Sequence, residues 1–125
     1  MSGGGSAGGD YYAVIFSSRL SGAGAGQATA TAPDYEDWAR RMALLAQEEA
    51  GFLGMESARD PVTGEGITVS YWRCLEDIAR WRDHSVHAEA RRLGRLHFYD
   101  SFRIRISKVF DDRRWARPED PAAGS

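Results

Sequence analysis

Apolar positions recur at two periods along this chain. In residues 11–19 (YYAVIFSSR), Tyr12, Val14 and Phe16 alternate with Tyr11, Ala13 and Ile15, the period of two of a strand with something to bury on each face. Such a strand belongs in the middle of a sheet. Ile67, Val69 and Tyr71 alternate likewise with Thr68, Ser70 and Trp72, and Phe102, Ile104 and Ile106 with Arg103, Arg105 and Ser107, so strands are predicted over residues 66–73 and 101–110. FLGMESAR, residues 52–59, gives one more, joined to the third by the turn-forming DPVTGEG, so these two read as an antiparallel hairpin.

Between the strands the period lengthens to three and four. Tyr35, Trp38, Met42 and Leu45 form one stripe of a helix, with Asp34 as its N-cap, Glu36 and Asp37 in its electropositive first turn and Gly51 as its stop. Leu75, Ile78, Trp81 or Arg82, Val86, Ala90, Leu93 and His97 form the stripe of a second helix over residues 75–99, broken near residues 83–85, where short polar side chains compete for backbone hydrogen bonds. The order β-α-β-β-α-β defines an α+β, ferredoxin-like fold with an antiparallel sheet and both helices on one face. The other face is left bare, and a second copy of the chain is expected to cover it.

The folded domain is expected over residues 11–110. Residues 1–10, rich in Gly and Ser, read as a disordered tail, residues 21–33 (SGAGAGQATATAP) as a flexible insertion, and residues 111–125 as a mostly disordered tail whose one large anchor is Trp115. Gly22, Gly24 and Gly26 follow a strand, but their G-x-G-x-G spacing and the late helix start do not suit a phosphate loop.

With 125 residues the chain is one domain, and its net charge of −2 offers no general attraction to nucleic acid or to a membrane surface. The lone Cys74 forms no internal disulfide, and no apolar run reaches membrane-spanning length. A cytoplasmic protein is the expectation.

FLGMESARD followed by GITVSYW, then IARW, the spaced His84 and His87, and RLGRLHFYDSFRIRISKV resembles the antibiotic biosynthesis monooxygenase (ABM) family of dimeric α+β barrels, across the whole of residues 11–110. The resemblance implies the ferredoxin-like fold and a homodimer. For activity it implies several outcomes: cofactor-free quinone-forming monooxygenases, haem-degrading monooxygenases, isomerases and proteins of no assigned activity. In the haem-degrading branch an asparagine ends the first strand, and a histidine stands ten residues after a helical tryptophan. Trp81 matches that tryptophan, but Ser18 stands at the asparagine position and Arg91 at that of the iron ligand, which argues against haem breakdown.

Within this frame the expected site lies between the second helix and the sheet. His87 is the candidate base, its side chain titrating near neutrality, and Tyr99 or Ser70 the donor to a phenolate or quinone oxygen. Trp72 and Trp81 are candidate stacking walls for a small aromatic molecule, although burial is the commoner duty of large aromatics, and Arg91 is counted among the substrate contacts. His84 and His87 share a metal-capable spacing but lack a third ligand. Arg103 and Arg105 are expected to pair with Glu56 or with an acidic residue of a partner, and Cys74 to cap the second helix. The reading is a cofactor-independent monooxygenase of small phenolic substrates, with no metal or cofactor. The alternatives are a non-catalytic dimeric binding module and, further off, a haem-binding protein.

Overall fold

The computed structural model describes residues 10–21 and 35–119, with the side chains of residues 85–87 and 90 outside that description. Its elements are β1 (Tyr11–Leu20), α1 (Tyr35–Gln47), β2 (Phe52–Arg59), β3 (Glu65–Trp72), α2 (Leu75–Asp83), α3 (Ser85–Leu93), a π-helical turn (Gly94–Phe98) and β4 (Tyr99–Val109). The strands form one sheet in the order β2-β3-β1-β4, with every neighbouring pair antiparallel. This is the ferredoxin-like α+β arrangement, with β1 and β3 inside and the hairpin partner β2 and the last strand β4 at the edges.

Register assigns the faces. Tyr12 opposes Trp72 and Val14 opposes Ser70, and these even-numbered positions meet the helices. Ala46 of α1 and Ile78 and Trp81 of α2 bury themselves with Trp72 against Tyr12, Val14, Met42, Leu45 and Phe52. The opposite face carries Ala13, Ile15, Ser17, Ile67, Val69, Tyr71, Arg103 and Arg105, and no helix lies on it among the described residues. On the helix side, the Phe102, Ile104 and Ile106 row of β4 remains 40–49% exposed, because an edge strand lies beyond the reach of the helices.

The helix break falls at His84, which ends α2 with its backbone N–H on the Trp81 carbonyl. Beyond it the predicted stripe is lost. His97 is exposed while Gly94 and Phe98 are buried in its place, since the π turn rotates the last residues away from the helical stripe, and at the other end of the stripe Leu75, the first residue of α2, is half exposed. Tyr99 opens β4 and does not end a helix. The segment holding Gly22, Gly24, Gly26 and Asp34 lies outside the described residues.

Cys74 is the N-cap of α2, yet it makes no side-chain cap bond. Its thiol donates to the carboxylate of Asp77 at 3.1 Å, and that carboxylate, 2% exposed, is also held by Arg80 at 2.6 Å and Arg73 at 3.0 Å. The chain turns from α1 into β2 directly above it. Gly51, at φ 84°, brings its backbone so close that an added Cβ would lie 1.9 Å from an Asp77 oxygen.

Candidate active site

The residues expected to share one site lie at two ends of the sheet. β3 and β4 both run antiparallel to β1, so the end of β3 and the start of β4 are at opposite ends. Trp72 pairs with Tyr12 and Tyr99 with Leu20, eight positions apart on β1, or about 26 Å at the rise of a strand.

At the first end Trp72 is completely buried, its ring stacked on Trp81 at 6.1 Å and edge-on to Phe52 at 5.4 Å. Its indole N–H donates to the Ser70 hydroxyl at 2.9 Å, so one expected substrate donor is engaged by one expected substrate wall. The two indoles fill the core together. Arg91 points elsewhere again, donating to the Arg82 carbonyl at 2.9 Å and so serving one of the free carbonyls that end α2. His84 lies 3.9 Å from Glu49, beside Trp81. The side chain of His87 lies outside the described residues.

The second end is an aromatic corner built by five elements, β4 contributing its first residue, Tyr99. The π turn delivers Phe98, the first turn of α1 delivers Tyr35 and Trp38, β1 supplies Phe16 and Ser18, and β2 ends in Arg59. Tyr99 stands edge-on to Phe16 at 5.3 Å, to Trp38 at 5.9 Å and to Tyr35 at 6.1 Å. Gly94 permits this closeness, since a Cβ there would come within 3.2 Å of both Trp38 and Tyr99. The Tyr35 and Tyr99 hydroxyls are 3.5 Å apart. Burial first, and then the Tyr35 hydroxyl, raise the pKa of Tyr99 well above that of a free phenol, so at neutral pH Tyr99 is a hydrogen-bond donor.

Arg59 is the only cation that reaches into this corner among the described contacts. Its guanidinium donates to Ser18 Oγ at 2.7 Å, to the Gly64 carbonyl at 2.5 Å and to the Tyr35 hydroxyl at 3.2 Å, and it lies 5.4 Å and 6.0 Å from the ring centres of Tyr35 and Tyr99. All of these acceptors are neutral, and no carboxylate pairs with it among the described residues. A half-buried guanidinium without a counter-ion is an anion site held ready, because each charge-assisted bond it forms is worth about 1.5–3 kcal/mol. Close by, the Trp38 indole N–H is buried and has no hydrogen-bond partner among the described residues. An open groove of about 1120 Å³ reaches the corner at Ser18, Arg59 and Phe102, and its lining also includes Ser17, Ala58 and Ile67, the carboxylates Asp60, Glu65 and Asp100, and Arg19 and Arg103. Of the expected site residues whose side chains are described, only Tyr99 is here. Arg59, Tyr35 and Trp38 were missed, although a lone arginine closing an otherwise small and polar strand end was a visible signal.

The fold is that of the ABM domains. The solved structure of SnoaB, a cofactor-independent oxygenase from Streptomyces nogalater, superposes with a TM-score of 0.63 at 14% identity, over 88% of this chain and 99% of that one. A Nitrosomonas europaea protein described as a candidate antibiotic biosynthesis monooxygenase gives 0.62 at 11% identity over 80% and 90%. A dimeric, ferredoxin-like protein of Bacteroides fragilis gives 0.52 at 14% identity over 79% and 96%. No family model matches the chain. In sequence it is 44% identical over 99 residues, 79% of each chain, to the uncharacterised Bacillus subtilis protein YqjZ, and it belongs to the same family as that protein.

Proposed function

We propose that the protein is a cofactor-independent monooxygenase that binds a small phenolic substrate as its anion at the Arg59 corner, in a homodimer joined through the helix-free sheet face. The observation that carries this reading is the guanidinium of Arg59, held by Ser18, Gly64 and Tyr35 with no carboxylate partner among the described residues, beside an indole donor that has no acceptor among them. Phe102, which lines the groove and stacks on Phe16 at 5.3 Å, supplies a flat apolar wall for the ring. The likeness in fold to SnoaB supports the reaction class, and the dimeric Bacteroides fragilis neighbour supports the assembly.

An electron-rich carbanion or phenolate reduces dioxygen without help. A C–O bond forms between the substrate carbon and dioxygen, giving a peroxide; loss of the proton on that carbon breaks the O–O bond, leaving a ketone and water. The substrate supplies every electron. Arg59 favours the anion and so lowers the cost of its formation, Tyr99 and Trp38 donate to the developing oxyanion, and the aromatic walls exclude water. His87, in the first turn of α3, is assigned the removal of the proton. The raised pKa of Tyr99 makes it unfit to accept a proton at neutral pH, which favours a second reading in which the corner binds without turnover.

Oxygen uptake on a panel of mono- and bicyclic phenols, paired with binding titrations, tests both readings. Turnover is expected on at least one member, with KM raised roughly ten- to a hundredfold in Arg59→Met and kcat collapsed in His87→Ala with binding retained. Binding without uptake selects the second reading, and a panel that neither binds nor reacts removes both.

A further inference from the structure

Past β4 the chain continues as an arm, residues 110–119, in which every residue is exposed and no regular structure forms. Phe110 is 82% and Trp115 74% exposed, a large apolar display for residues that no backbone hydrogen bond ties down among the described residues. Only the root of the arm is directed. The Tyr11 hydroxyl donates to the Asp112 carboxylate, and the Tyr11 ring rests edge-on against Tyr71 at 5.8 Å, on the helix-free face of the sheet. Farther out, Arg113 pairs with Asp111 at 3.2 Å and Arg117 lies over the Trp115 ring at 5.5 Å.

The helix-free face shows the complementary pattern. Ile67 is half exposed at its Ser17 end, and Arg103 and Arg105 stand on it, exposed and without a carboxylate partner among the described residues; Glu56, expected to pair with them, instead accepts from the Tyr71 hydroxyl at 2.6 Å. Two unpaired arginines thus meet an arm that begins with two aspartates. At the Ser17 end of this face is the groove already described. Its lining takes Ser17, Ala58, Ile67 and Arg103 from the helix-free face and Ser18, Arg59 and Phe102 from the other, so it wraps the end of the sheet and opens onto the active-site corner.

We infer that a second copy of the chain completes this site: the arm of one protomer crosses the helix-free face of its partner, setting Asp111 and Asp112 against the partner's arginines and Trp115 in the groove that opens onto Arg59. This rests on the homodimer of the proposed function and adds to it a wall contributed in trans. The arm has the reach, since Val109 to Trp115 spans about 20 Å when extended, the length of β1 from Tyr11 to Ser17. The same reach would take the arm across its own sheet, yet in the isolated chain Trp115 remains 74% exposed.

Sedimentation combined with acrylamide quenching of Trp115, taken as the difference between the wild-type chain and Trp115→Phe across a dilution series, tests this. The quenching constant of Trp115 is expected to fall at least threefold as dimer forms. Asp111→Arg with Asp112→Arg is expected to weaken self-association at least tenfold, and mixing that chain with one carrying Arg103→Asp and Arg105→Asp to restore a heterodimer. A dimer in which Trp115 stays fully quenchable overturns the inference and leaves the dimer intact. Protection that does not change with concentration places the arm on its own chain and overturns it too, and a monomer at every concentration removes both the inference and the dimer.

Discussion

Asp77 shows how one side chain binds three parts of the chain. It is buried, and the Cys74 thiol first, then Arg80 and Arg73, hold its pKa below the ordinary carboxylate range. A carboxyl whose folded pKa is depressed stabilises the fold at pH values above its unfolded pKa, and that stabilisation is lost as pH falls through the folded one. Urea midpoints measured from pH 7 down to pH 3 are therefore expected to fall for the wild type below about pH 4, more steeply than for Asp77→Asn, which starts lower and lacks this component. Equal slopes would remove Asp77 from the acid limb. Gly51 faces the same carboxylate from the chain above. Gly51→Ala meets both a left-handed φ of 84° and a collision with Asp77, and backbone strain alone is expected to cost about 1–3 kcal/mol, read as a lower denaturant midpoint at unchanged slope. Neither role was legible beforehand: Asp77 reads as an acidic first-turn residue, and the approach of Gly51 is a tertiary contact that no local pattern encodes.

At the scale of elements, strands and their faces were legible because their alternation is strict. The even and odd rows of β1, β3 and β4 fall as their side chains imply, and the helix break falls where the short polar residues are. The π turn was not legible, since Gly94–Phe98 carries the same apolar spacing as a helix end, and the extra residue per turn shifts every later position. That shift brings Tyr99 out at the head of β4, over Phe16, with Trp38 against it. Gly94 is the hinge of this packing. Gly94→Val is expected to push Trp38 and Tyr99 apart, destabilise the fold by about 1–3 kcal/mol through overpacking and raise KM more than Gly94→Ala does. A valine variant with wild-type stability and KM would show that the corner does not need this close approach.

At the scale of the molecule, the topology itself separates the two halves of the expected site. Trp72 closes β3 and Tyr99 opens β4, and strands that both oppose β1 must place those positions at opposite ends, a consequence already contained in the predicted strand order. Trp72 and Trp81 meet because both belong to the core, and Ser70 is drawn in with them. Arg59 and Tyr35 come together only through the fold, being 24 positions apart in sequence and joined by one hydrogen bond. A dimer carries a further consequence, since association adds to folding by mass action: the melting temperature is expected to rise with protein concentration, and a constant value would argue for a monomer.

The location of the site is tested most directly by the indole N–H resonances of the four tryptophans, followed by ¹⁵N–¹H correlation spectra while a phenolic ligand is titrated in. The Trp38 signal, from a donor without a partner, is expected to move downfield to saturation, while that of Trp72, bonded to Ser70, stays in place. Saturable movement of the Trp72 and Trp81 signals with Trp38 unmoved would put the ligand at the opposite end of the sheet and contradict the Arg59 site.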